Sequence, residues 1–120
     1  MSCRIIKATN LPNCDRVTLS DPFAVVSLKA QRCETAGRQN DLNPVWNETF
    51  SFPLEVRDRG GEPVCEQELQ AAVYDKDLDG KPESLGSGTV PLKGLLAGEP
   101  QIKIIELQDA GRLYLELEAG

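Results

Sequence analysis

Apolar positions along the chain fall into short runs, several alternating with a period of two, set apart by turn residues and never sustained at a helical period. Cys3 to Ala8 reads as a first strand, closed by the turn cluster Asn10-Leu11-Pro12-Asn13. Phe23 to Leu28 is β-branched and apolar enough for a central strand, and the polar stretch Gln31 to Thr35 for a strand with intermittent core contact. Asp41 to Glu48 reads as a turn, after which Phe50, Phe52, Leu54 and Val56 alternate toward one face, with Pro53 on the other. Arg57 to Glu66, carrying Gly60-Gly61 and Pro63, reads as a flexible surface connection. Leu69 to Tyr74 alternates cleanly, Leu85 to Leu92 forms a strand broken by Gly86 and Gly88, and Lys93 to Gly98 has room for one helical turn. Two closing strands use either Ile102 and Ile104 or Ile105 and Leu107, then Leu113, Leu115 and Leu117, joined at Asp109-Ala110-Gly111. About eight short strands without a helix predict an all-β fold, an eight-stranded antiparallel β-sandwich. No repeat, linker or low-complexity tract interrupts it, so residues 1–120 read as one domain.

The densest chemistry lies between two of those strands, in Asp75-Lys76-Asp77-Leu78-Asp79-Gly80-Lys81-Pro82-Glu83. So many like charges in one turn repel, and a bound cation relieves them. The first half matches an EF-hand loop, with acidic residues at alternate positions and a Gly at the sixth. The second half does not: the twelfth position is Gly86 and Pro82 stands where a helix would begin. The stretch therefore reads as a metal-binding loop between β-strands, with a solvated acidic turn as the plain alternative. A second loop, Asp15 to Pro22, carries two more carboxylates, Asp15 and Asp21.

Composition narrows the chemistry. A formal charge of −6 argues against nucleic acid, which needs clustered Lys and Arg, but leaves a membrane open because bound cations would neutralise the acidic loops. The absence of His removes the usual general base, and no Gly-x-Ser-x-Gly elbow or phosphate-binding Gly loop is present, so the chain does not read as an enzyme. Cys3, Cys14, Cys33 and Cys65 lack zinc spacing. With no signal-like N-terminus and no membrane-length apolar run, reduced thiols and a cytoplasmic location are expected.

The segments Asn10-Leu11-Pro12, Ser20-Asp21-Pro22-Phe23, Leu42-Asn43-Pro44-Val45-Trp46-Asn47-Glu48-Thr49-Phe50-Ser51-Phe52, Val73-Tyr74-Asp75-Lys76-Asp77 and Leu85-Gly86 together closely resemble the C2 domain, the calcium- and lipid-binding module first named in protein kinase C. The resemblance covers nearly the whole chain, in order. It implies a sandwich of C2 type with calcium (Ca2+) sites in loops at one end. The resemblance puts first-loop ligands at Asp15 and Asp21, and third-loop ligands at Asp75, Asp77 and Glu83. The family more often has Asp where Glu83 stands, and Asp79 either binds in its place or faces water. Gly80 occupies a position where some members place a Ser that ligates a further ion. The closing segment Gly111 to Glu118 resembles a strand that opens some C2 domains and closes others, which implies the permuted, type II order of phospholipases C.

Around the carboxylates, Val17, Leu19 and Leu78 are placed to dip into a lipid interface, and Arg16, Lys76 and Lys81 to meet anionic headgroups at about 1 kcal/mol each. A phosphoinositide patch is thin, since only Lys29, Arg32 and Arg38 are near it and Ala24-Val25-Val26 lacks a Lys. Trp46 is assigned to the core and Asn43-Pro44 to a turn. The expected function is calcium-dependent, peripheral binding of anionic phospholipid membranes by a monomer. Two alternatives remain: a protein-interaction scaffold with vestigial acidic loops, carrying Cys14 or Cys65 as an exposed thiol, and the targeting part of a larger enzyme.

Overall fold

The computed structural model describes residues 1–11, 21–37, 41–76, 83–95, 99–108 and 111–119. Strands β1 (Ser2–Thr9), β4 (Val45–Ser51), β9 (Gln101–Glu106) and β10 (Arg112–Glu118) form one antiparallel sheet in the order β4-β1-β10-β9. Strands β2 (Pro22–Leu28), β3 (Gln31–Glu34), β7 (Glu68–Asp75) and β8 (Glu83–Pro91) form a second, in the order β3-β2-β7-β8. The eight strands of these two sheets are the expected antiparallel sandwich. Strands β5 (Arg57–Arg59) and β6 (Glu62–Val64) add a small hairpin outside it.

Alternation explains how the faces sort. Ile5, Leu113, Leu115 and Leu117 of the first sheet and Val26, Leu69, Val73 and Leu85 of the second are almost wholly buried. Each such side chain contributes about 1.5 to 3 kcal/mol by leaving water. A register shift between Ile5 and Lys7 lets Ile5 and Ala8 both point inward while Lys7 lies over the Tyr114 ring on the outer face, 5.1 Å from its centroid. Trp46 is buried as assigned.

Several local expectations change. Val45 to Glu48 belongs to strand β4, not to the turn, and the strand stops at Ser51, so the alternation through Val56 is not a strand and Val56 is exposed. The register to β1 runs to Ser2 opposite Ser51, and Met1 and Phe52 exchange hydrogen bonds just beyond it, the Met1 ammonium donating to the Phe52 carbonyl at 2.7 Å and the Phe52 N–H to the Met1 carbonyl at 2.8 Å. Arg57 to Val64 is a paired hairpin, not an open connection: Arg59 faces Glu62 across Gly60-Gly61, whose φ values of 64° and 89° suit a tight two-residue turn. Of the two phases offered for β9, Ile105 and the following Leu107 are buried, and Ile102 and Ile104 are exposed. Gly86 and Gly88 do not break β8; they let it run closely past Ile105 and Leu107.

Cys3, Cys33 and Cys65 are free thiols, and Cys14 lies outside the described residues. Cys65 is buried and so is not the exposed thiol of the scaffold reading. Burial, with a smaller contribution from nearby Cys33, pushes the Cys3 thiol up to about 12, which keeps it protonated and unreactive. Among the described residues no helix is long and apolar enough to cross a membrane.

Candidate metal and membrane site

Three of the five carboxylates expected to bind metal are described: Asp21, Asp75 and Glu83. Asp15 and Asp77 lie outside the described residues, as do Asp79, Arg16, Val17, Leu19, Leu78 and Lys81. The second sheet brings the three together from distant parts of the chain. Pro22, the first residue of β2, pairs with Asp75 at the end of β7, and Asp75 pairs with Glu83 at the start of β8. Opposed residues of an antiparallel pair point to the same side of the sheet, so Asp75 and Glu83 share a face.

Asp21 immediately precedes β2 and is tied to the end of β7 by two hydrogen bonds, one to Asp75 and one from Lys76. Its backbone N–H donates to Asp75 Oδ1 at 2.8 Å, across 54 residues of sequence, and its carbonyl accepts from the Lys76 N–H at 3.2 Å. Asp75 continues the inward phase of Leu69, Ala71 and Val73 and is only 7% exposed, whereas Glu83 is exposed. A carboxylate taken out of water is costly unless its charge is met. Among the described residues no Lys or Arg forms an ion pair with Asp75 or Glu83.

The loop bases are fastened by the turn residues that the sequence singled out. Asn43 Oδ1 accepts from the Asn10 N–H at 2.9 Å, and the Asn43 N–H donates to Asp41 Oδ1 at 2.8 Å. The base of the first loop is thereby joined to the 41–44 turn. Thr35, the other buried polar residue among those described, accepts from the Ala24 N–H through its hydroxyl and donates its own N–H to the Ala24 carbonyl, both at 2.9 Å. These bonds hold the segment after β3 against β2.

The donor set suits a hard divalent cation, because it offers carboxylate oxygens and no imidazole. Among the described residues no three His, Cys, Asp or Glu side chains already form a metal-holding group. Of the residues expected to touch lipid, Lys76 is described and exposed. On the outer face of the second sheet, a groove of about 510 Å³ has Arg32 as its one basic lining residue among neutral neighbours such as Ser27, Gln70 and Thr89. Lys29 pairs with Glu55, Arg32 pairs with Glu34, and Arg38 lies outside the described residues.

Comparison with known proteins gives consistent relatives. The family model described as "C2 domain" matches residues 1–107. The chain is 31% identical over 124 residues to the mouse protein "Multiple C2 and transmembrane domain-containing protein 2", covering 98% of this chain and 13% of that protein. It is 37% identical over 95 residues to the "Calcium-dependent lipid-binding protein" of Arabidopsis thaliana, covering 78% of this chain and 17% of that protein. The chain therefore spans less than a fifth of either relative. Among solved structures it is similar to the calcium-bound pair of C2 domains of Extended-Synaptotagmin 2, with a TM-score of 0.77 and 25% identity over 98% of this chain and 44% of that one.

Proposed function

The chain belongs to the C2 domain family, and from that premise we propose that it binds calcium through its acidic loops and thereby docks peripherally on anionic phospholipid membranes. The observation that carries this reading is the nearly buried carboxylate of Asp75, capped on one oxygen by the Asp21 N–H and opposed across the ladder by Glu83. Asp21, Asp75 and Glu83 would hold the metal together with Asp15 and Asp77. A calcium ion in such a site takes six to eight oxygens and leaves the positions that protein does not fill to a lipid phosphate or carboxylate.

The chain's own residues prepare that event. The Asp21 N–H fixes one oxygen of Asp75, so the orientation of the carboxylate is set before any ligand arrives. The β2-β7-β8 ladder holds the acidic strand ends Asp75 and Glu83 opposite each other, with Asp21 just before β2, and their repulsion is relieved when positive charge enters. Exposed Lys76 lies one residue from Asp75, where it attracts an anionic surface. Two of the relatives bear names that agree, one a calcium-dependent lipid-binding protein and the other a structure solved with calcium bound. In this reading the protein is a cytoplasmic targeting module without catalytic activity.

Co-sedimentation with phosphatidylserine-containing vesicles tests the coupling. Most of the chain should pellet in millimolar calcium and remain in the supernatant with chelator. Equal pelleting in the two conditions would overturn it.

A further inference from the structure

The first sheet ends in an open edge. Strand β9 pairs with β10 and, among the described strands, with no other. The Leu107 N–H donates to the Gly111 carbonyl at 3.0 Å, and by the alternation of an antiparallel ladder Ile105 and Lys103 also turn their backbone groups toward β10. The N–H and C=O groups of Ile102 and Ile104 therefore face away from the sheet, a row that serves as a template for another strand. The side chains of these two residues are each 53% exposed on the outer face, where Ile104 lies opposite Tyr114.

The other face of the edge opens into a groove. The two sheets approach closely where a Cβ on Gly88 would lie 2.5 Å from Ile105 Cγ2, and beside that contact a cavity of about 340 Å³ has Thr89, Pro91, Lys103 and Ile105 in its lining. Lys103 shares the inward phase of buried Ile105 and is itself half-buried. Among the described residues no Asp or Glu forms an ion pair with it. Glu106, which also lines the groove, is already engaged by Arg112 at 2.9 Å. A charge drawn partly out of water is better satisfied by an opposing charge than left alone, so the groove calls for a carboxylate.

A second copy of this chain fits poorly, because antiparallel self-pairing through Ile102 and Ile104 would set two Lys103 ammoniums on one face of the seam. We propose that the β9 edge takes an extended acidic peptide of a partner protein by antiparallel strand addition. Apolar side chains stand opposite Ile102 and Ile104, and a glutamate or aspartate between them stands opposite Lys103. The peptide backbone continues the ladder while its carboxylate meets the ammonium. None of the residues proposed to hold calcium takes part, so this surface acts independently of the membrane reading.

The test is fluorescence anisotropy of a labelled, end-capped peptide, Thr-Val-Ile-Glu-Ile-Thr-Thr, titrated with the full chain in chelator. Saturable binding is expected. Exchanging the central Glu for Lys should weaken it at least about tenfold, since like charges then meet. Methylating both isoleucine nitrogens removes the donors that face β9 and should also weaken it at least about tenfold. Lys103→Glu should reverse the preference, so that the Lys peptide binds more tightly than the Glu peptide. The two peptide exchanges need no variant of the protein and decide the matter even where Lys103→Glu folds poorly. Absence of binding at millimolar concentration overturns the proposal, as does binding indifferent to the central charge or to methylation. Dimerisation of the chain that expels the peptide assigns the edge to a second copy and overturns it too.

Discussion

Asp75→Asn should abolish the calcium-induced rise in melting temperature without unfolding the calcium-free protein. The amide keeps an oxygen where the Asp21 N–H now donates, so the loop bases stay joined. What disappears is one negative charge at the most buried of the three described carboxylates. A ligand present at 100 times its dissociation constant stabilises the folded state by about 2.7 kcal/mol. For a chain of this size that corresponds to a rise of roughly 8 to 16 °C. The variant should show less than about 2 °C in the same calcium, because cation affinity follows the charge count of the site. Its calcium-free melting temperature should equal or exceed that of the wild type, since a like charge facing Glu83 has been removed. Thermal melts with calcium and with chelator decide the matter, and a full calcium shift retained by the variant would remove Asp75 from the site.

Gly86→Ala should cost the fold about 3 kcal/mol, from backbone strain and overpacking together. Gly86 has φ of 141°, a region that side-chain-bearing residues rarely adopt. Its added Cβ would lie 2.7 Å from Leu107 Cβ, 3.2 Å from the Gln108 nitrogen and 3.3 Å from Leu107 Cα. Two of those atoms are backbone, and Leu107 is held by its N–H donating to the Gly111 carbonyl at 3.0 Å. The neighbour therefore cannot yield as a flexible side chain would. A fall in melting temperature of roughly 10 to 18 °C is expected. Gly60→Ala is the comparison, with positive φ but nothing within 4 Å, and it should cost only the strain. If the two variants melt together, the close approach of β8 to Leu107 carries no energetic weight.

The sandwich was legible because its central strands are written in apolar runs whose phase admits one inward face. Val26, Val73 and Leu115 illustrate this, each wholly buried. Where two phases were available, sequence could not choose: Ile104 and Ile105 are adjacent, and the choice falls on Ile105 because it pairs with inward-pointing Leu113. The β5-β6 hairpin escaped notice for the opposite reason, since its arms have no apolar alternation and only the Gly60-Gly61 turn marks it. Gly86 and Gly88 read as breaks because a run of residues shows missing side chains but not the neighbouring strand that needs their absence.

The candidate site divides along the same line. Its residue types were readable from the acidic loop, but the placement of Asp21 against Asp75 depends on β2 pairing with β7 across four intervening strands. A cavity lined in part by Arg32, Glu34 and Lys76 carries still less local signal. Arg32 and Glu34 come from β3 and Lys76 follows β7, and they are brought near one another by β2 pairing with both strands.

The coupling of cation to membrane is tested most directly by titrating calcium into the full chain in a calorimeter, once alone and once with phosphatidylserine vesicles. If acidic strand ends hold a cation that lipid then completes, the heat should saturate in both titrations, and vesicles should raise the apparent calcium affinity at least about tenfold, by the reciprocity of linked binding. No heat up to millimolar calcium, or the same isotherm with and without vesicles, would contradict it.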